Sequence, residues 1–225
     1  MPDTSSHIRL ISFDLDGTLT TPEFVDAVWR VGVPEHYAAK HGVRLAEARE
    51  LVAHLYDCMG DDELNWYDLP FWVKYLKLDV PAEKLIAEYE NLIALFPDVT
   101  ATLSSLQQRH DLIIISNANR MFLDREVAVT GIEKYFKKIF SATSDFGRVK
   151  REEDIYRMVC ERMNVSTAEI IHVGDHREFD FEAPQRIGIR AYYLDQSKKE
   201  TGTHVIHSLD ELRDILCRKG SESSL

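Results

Sequence analysis

Short apolar, β-rich runs stand near the start of the chain and recur through its second half, at residues 8–13, 112–115, 138–140, 170–173, 190–194 and 204–206. Between the later runs lie helix-length segments: 99–110, 120–130, 152–163, 181–188 and 209–218. In 152–163, Ile155, Met158, Val159 and Met163 recur with the period of one helical face. Strands that are apolar throughout, alternating with amphipathic helices, predict a parallel sheet covered on both sides. Ligands of such sheets sit beyond the carboxyl ends of the strands.

Residues 22–94 follow a different pattern, with no convincing strand and a series of helical patterns at 23–31, 35–41, 45–58, 64–76 and 82–95. Pro34, Gly42, Gly60, Pro70, Pro81 and Pro97 punctuate them, and Pro70 is placed to kink or split the fourth. Leu45, Leu51, Val52 and Leu55 form a stripe of the kind an antiparallel bundle buries. The chain therefore reads as an α/β core with an all-helical insert after its first strand. No internal repeat is visible, and the tail 221–225 is expected to fray.

Composition narrows the function. The 225 residues are 44% hydrophobic and 29% charged, as in ordinary globular proteins. A net charge of −11 argues against nucleic acid or a membrane surface as partner, because both need a positive field. A small phosphorylated ligand stays compatible, provided that a metal or well-placed Lys and Arg supply a local cation. No apolar run nears the roughly 18 residues of a membrane span, and the amino terminus lacks a secretory layout. Cys58, Cys160 and Cys217 are odd in number and far apart, which predicts three buried thiols in a reducing, cytoplasmic setting.

Polar residues cluster where the predicted core strands end. The first run ends in Asp14-Leu15-Asp16-Gly17-Thr18, the second in Ser116-Asn117, the third region leads to Lys150, and the fourth ends in Gly174-Asp175 with Asp180 following. On these motifs the chain resembles the haloacid dehalogenase-like hydrolase superfamily, in its phosphatase branch. The resemblance spans nearly all of residues 8–195. It implies a Rossmann-like doubly wound parallel sheet formed by residues 1–20 and 96–225, with a helical cap at 21–95.

The chemistry of each cluster can be argued from its residue types. A carboxylate such as Asp14 can attack phosphorus and form an aspartyl-phosphate, which splits hydrolysis into two easier steps. Attacker and phosphate are both anions, so a divalent cation must lie between them, and Mg²⁺ suits oxygen ligands. Asp16, two residues on in extended backbone, faces the same cleft and fits a general acid and then base. The charge of Asp14 should raise its affinity for a proton. The resemblance adds that Asp16 binds the metal through its backbone carbonyl. Asp14, Asp16 and Asp175 are thus the expected metal ligands. Ser116, Asn117 and Lys150 are expected to hold the phosphoryl group, with Lys150 also neutralising Asp14. Thr18 is expected to orient the loop, and Asp180 to hold Lys150 or a metal-bound water.

Alternatives stay open at several positions. Ser116 also fits a helix N-cap, as does Asp180 ahead of residue 181. Arg151 stands where the family usually has Pro after the lysine, which leaves Arg148 and Arg151 as competitors for the role of Lys150. Asn119 is a candidate for touching substrate, whereas His176 and Arg177 read as loop surface. The insert's aromatics (Trp29, Tyr37, Tyr56, Trp66, Tyr67, Phe71, Trp72, Tyr75) read mostly as core, and 61–63 as a solvated acidic turn. The expected activity is Mg²⁺-dependent hydrolysis of a small phosphorylated metabolite, with the oligomeric state open. A phosphomutase or phosphotransferase of the same fold, or a non-catalytic domain that binds metal or phospho-ligand, is the alternative. A dehalogenase and a phosphonate hydrolase are disfavoured, the former because halide departure needs no acid at Asp16.

Overall fold

A computed structural model describes residues 8–219; the tail 221–225 lies outside them. Its single sheet has the order β3-β2-β1-β4-β5-β6, with every neighbouring pair parallel. The strands are β1 (Leu10–Phe13), β2 (Asp111–Ser116), β3 (Lys138–Ser141), β4 (Ile170–Gly174), β5 (Arg190–Leu194) and β6 (Val205–Ile206). The chain winds from β1 out to β3, returns to β4 beside β1, and winds the other way, so the switch point falls at β1.

Both sheet faces are covered, as the uninterrupted apolar runs require. Ile11, Phe13, Ile114 and Val173 pack with Leu103 and Phe122, while Leu10, Ile113, Ile115 and Ile170 pack with Ile155, Tyr156 and Val159. Phe13 lies opposite Ile114 and Val173 on its two neighbours. This register fixes the site. A slip of one residue would carry Asp14 about 3.3 Å along the strand and turn it to the other face.

Between β1 and the Val99–Leu106 helix the regular elements among the described residues are helices, apart from two isolated bridges pairing Thr20 with Asp16 and with Leu95. The first runs unbroken from residue 23 to 41, although Pro34 was expected to interrupt it. In an α-helix Pro34 would strand the carbonyl of Arg30 and clash with it. Here the turn Ala27–Gly32 is π-helical, with Val33 N–H bonding back to the Val28 carbonyl, and the wider turn relieves that clash. Gly32 allows close packing against the next layer, since a Cβ there would lie 2.6 Å from the Tyr89 ring.

The fourth helical pattern splits before Pro70: a short turn, Leu64–Tyr67, precedes a helix, Leu69–Tyr75, capped by Asp68, whose carboxylate accepts from Phe71 N–H (3.4 Å). The Leu45–Met59 helix buries Ala48 and Val52 and leaves Leu51 exposed, so its apolar stripe is rotated from the expected one. The cysteine expectation also fails in part. Cys160 is buried, but Cys58 is exposed and Cys217 half-buried, because both lie on helix flanks away from the core. Among the described residues no helix is long and apolar enough to cross a membrane.

Candidate active site

The parallel pairing of β1 carries one residue past the strand, where Asp14 N–H donates to the Val173 carbonyl (2.9 Å). The chain then turns, and Thr18, Leu19 and Thr20 N–H groups all donate to the Leu15 carbonyl (3.2, 2.8 and 3.0 Å). Gly17 sits in this turn at φ +77°, and a Cβ there would collide with the Asp175 carboxylate, so the position excludes larger residues twice over. Thr18 Oγ1 donates to Asp175 Oδ1 (3.3 Å), tying the first motif to the fourth.

At the end of β2, Ser116 Oγ accepts from Ala118 N–H (3.0 Å), while Asn119 caps the Arg120–Thr130 helix by accepting from Met121 N–H (3.0 Å). Ser116 is therefore not that helix's cap, and its hydroxyl proton is free to point elsewhere. Asn117 Oδ1 accepts from the backbone N–H of Lys150 (2.9 Å), and its Nδ2 donates to the Tyr67 hydroxyl (3.2 Å).

Lys150 is buried, and its Nζ donates to Asp14 Oδ1 and to Asp180 Oδ1, the latter at 2.6 Å. The rival cations are engaged elsewhere. Arg148 pairs with Glu152 (3.2 Å), and Arg151 is shared among Asp61, Asp62 and Glu178 (3.7, 3.5 and 2.9 Å). Lys150 is the cation that meets Asp14.

Asp180 is held from several sides. Its Oδ1 also accepts from His172 Nε2 (3.1 Å) and its Oδ2 from His176 N–H (3.0 Å). It lies inside the helical turn Arg177–Glu182, whose cap is His176, with Nδ1 accepting from Phe179 N–H (3.2 Å). Gly174 makes room for it, since a Cβ there would run into the Asp180 carboxyl. With His172 Nε2–H on Asp180, its Nδ1 faces Ser12 Oγ (2.7 Å), whose hydroxyl also meets the Ile171 carbonyl (3.1 Å), so a buried chain runs Ser12–His172–Asp180–Lys150–Asp14. Burial holds the His172 pKa below its usual value, against the pull of Asp180, consistent with that neutral tautomer.

Acid outweighs base here. Burial pushes the pKa of Asp14 well up despite Lys150, and burial with the Asp180 charge pushes Asp175 up to about 7. Asp180 goes the other way: Lys150 and His172 overcome its burial and hold it below the usual carboxylate range. Burial would lower the pKa of Lys150, but Asp14 and Asp180 outweigh it and keep the ammonium charged. Oxygens of Asp14, Asp175 and Asp180 lie within 4.8 Å of one another. An all-oxygen trio short of positive charge fits a hard divalent cation such as Mg²⁺. The Asp16 side chain stands outside this trio: its Oδ1 is buried with no hydrogen-bond donor and faces Glu126, itself buried with neither oxygen bonded. Burial raises the pKa of both, and each carboxylate disfavours ionisation of the other.

A cavity of about 250 Å³ opens over these residues. Trp29, Asp61, Trp66 and Tyr67 of the helical segment line it together with Phe122 and His176.

The family model for haloacid dehalogenase-like hydrolases matches residues 8–188. The chain belongs to the haloacid dehalogenase-like hydrolase family. It is 28% identical to the GMP/IMP nucleotidase YrfG of Escherichia coli over 196 residues, covering 87% of this chain and 86% of that protein. To a phosphoglycolate phosphatase of Shigella boydii it is 30% identical over 214 residues, covering 80% and 79%. The crystal structure of a HAD phosphatase from Thermococcus onnurineus superposes with a TM-score of 0.83 at 26% identity, over 93% of this chain and 98% of that one.

Sequence reasoning about this haloacid dehalogenase-like hydrolase missed several residues that its fold brings to the site. Asp61, Trp29, Trp66 and Tyr67 were read as turn or core and line the cavity instead, and His176 lines it too. Glu126 and His172 carried no motif signal. The one available hint was a charged or polar residue on an otherwise apolar face, Glu126 beside Leu123 and Val127 and His172 within β4.

Proposed function

We propose that the protein is a Mg²⁺-dependent phosphomonoester hydrolase that acts on a small phosphorylated metabolite through an aspartyl-phosphate on Asp14. The observation that carries this reading is that Asp14, held by Lys150 beside the oxygens of Asp175 and Asp180, shares its cavity with Asp16. Relatives named as a nucleotidase and a phosphatase support it. Residues 21–95 serve as a cap over a core of 1–20 and 96–225, since their aromatic side chains roof the cavity.

A carboxylate oxygen of Asp14 attacks phosphorus, and the bond from phosphorus to the ester oxygen breaks. Asp16 gives its proton to the departing oxygen. A water then attacks the phosphorus of the aspartyl-phosphate, loses a proton to Asp16, and releases inorganic phosphate from Asp14. Ser116 Oγ, already accepting from Ala118 N–H, directs its own proton to a phosphoryl oxygen, and Lys150 supplies positive charge. Asp14, Asp175 and the backbone carbonyl of Asp16 would hold Mg²⁺, with Thr18 fixing Asp175 and Asp180 fixing Lys150. When bound, the ion supplies the charge that lets two anions meet.

The test is Mg²⁺-dependent phosphate release across a panel of phosphorylated metabolites, with Asp14→Asn as the blank. Turnover should vanish in Asp14→Asn while its circular dichroism matches the wild type. Full activity in that variant would overturn the mechanism. Clean metal binding with no release from any ester would instead favour a binding domain.

A further inference from the structure

The lining that the helical segment and Phe122 give the cavity carries a chemical bias of its own. Trp29 stacks on Phe122 (centroids 5.6 Å apart, 13° between planes) and on Trp66 (6.3 Å, 29°), and Trp66 meets Tyr67 edge to face (4.9 Å). The formal charge lining the cavity on this side is the Asp61 carboxylate. Among the described lining residues Lys150 is the one Lys or Arg, and its ammonium is taken by Asp14 and Asp180. Arg151 is shared among three carboxylates, Asp61, Asp62 and Glu178. His176 accepts at Nδ1 from Phe179 N–H, so its ring carries a single proton, on the Nε2 that faces Asp61 at 3.9 Å.

We infer that the enzyme selects phosphate monoesters whose leaving group is uncharged and presents a single flat ring, and turns away leaving groups that bear a carboxylate or a second phosphate. This rests on the phosphomonoesterase reading and adds to it a rule for the part of the substrate that departs. An anionic leaving group would leave water for aromatic faces, which are the negative side of the ring quadrupole, and for Asp61. No lining cation is free to receive it. An uncharged ring would find flat apolar partners instead. The volume, about 250 Å³, lies just below the roughly 300–1,000 Å³ of ligand pockets, which leaves room for a phosphoryl group and one ring. A second cavity, of about 370 Å³, lies behind Val25, Trp29 and Trp66 and is lined by Arg30 and Arg49, but also by Asp26 and Asp57. Arg30 is already paired with Asp26 (2.9 Å), and the Trp29–Trp66 stack stands between this cavity and the phosphoryl site.

The discriminating experiment compares kcat/KM for benzyl phosphate, 4-carboxybenzyl phosphate and 2-phosphoglycolate, with Mg²⁺ present and Asp14→Asn as blank. The two benzyl esters differ by one remote carboxylate. Benzyl phosphate should exceed both acids by about tenfold or more, the scale of a like charge brought into a closed site. Replacing Asp61 (Asp61→Asn) should narrow the ratio between the benzyl esters by several-fold. Equal rates for the benzyl pair, or phosphoglycolate turned over in preference to benzyl phosphate, would overturn the charge rule and leave the phosphomonoesterase standing. A ratio unchanged in Asp61→Asn would overturn the part given to Asp61. Release from none of the three esters or a wider metabolite panel would overturn the phosphomonoesterase reading itself.

Discussion

Asp16 Oδ1 and the Glu126 carboxyl are buried facing each other with no hydrogen bond on that oxygen or on either Glu126 oxygen, although no motif in the sequence marks Glu126 as a site residue. On the Arg120–Thr130 helix a glutamate reads as solvent-facing, and only the packing of that helix beneath the first motif buries it. The polar clusters that the fold brings together were legible because they follow the ends of apolar strands, the side of a parallel sheet where ligands sit. Glu126 reaches Asp16 across 110 residues of chain. Asp16→Asn should slow turnover by about 10²–10⁴-fold, the usual scale for losing a general acid; an unchanged rate would remove its role. Glu126→Gln tests the pair through stability. Burial raises the pKa of Glu126, so below the ordinary carboxylate range both folded and unfolded chains keep its proton. As the pH climbs, the unfolded chain releases the proton first, and stability falls until the raised folded value is passed. In EDTA, the wild type should therefore lose more thermal stability than Glu126→Gln between about pH 5 and pH 8. Parallel melting curves would refute the assignment.

At the scale of elements, the parallel pairing was readable because the strand interiors are apolar and alternate with amphipathic helices, and β5 matches its expected bounds. The helical insert was read less well. Its proline at position 34 breaks nothing, since a π-helical turn accommodates it, and a periodicity count has no term for such a turn. The segment after β4 also begins earlier than expected, because the His176 ring caps it. Glycines mark where elements touch. Gly174 ends β4 directly against the carboxyl of Asp180, and that carboxyl holds Lys150. Gly174→Ala should cost about 1–3 kcal/mol, the usual price of overpacking, and should also lower kcat by displacing the lysine. Gly131→Ala is the control, since its φ is +64° and no atom lies within 4 Å of the added Cβ. It should lower the urea midpoint and leave kcat in place. A Gly174→Ala enzyme with normal kcat would disprove the link from glycine to lysine.

Taken as a whole, the molecule fastens its helical segment to its sheet by polar contacts around the cavity mouth. Arg151 bridges Asp61 and Asp62 to Glu178, and Tyr67 takes a hydrogen bond from Asn117 while giving one to the Asp61 carbonyl (2.9 Å). The sequence marked Arg151 as a departure from the usual proline and as a competitor of Lys150; the fold instead gives it partners on both sides. Each partly exposed pair contributes little, about 0.2–1 kcal/mol, and salt screens it. KM should therefore rise with NaCl in the wild type and respond much less in Arg151→Ala, with identical salt profiles arguing against the bridge. The segment leaves and rejoins the sheet at one place, where Thr21 N–H donates to the Ala94 carbonyl (2.9 Å) and Phe96 N–H to the Leu19 carbonyl (3.1 Å). An insertion whose two ends already touch imposes almost no closure cost on its host. Such a segment can be exchanged without moving the nucleophile. On the proposed reading, a change in this segment would reshape the cavity's roof and leave in place the strand that carries Asp14.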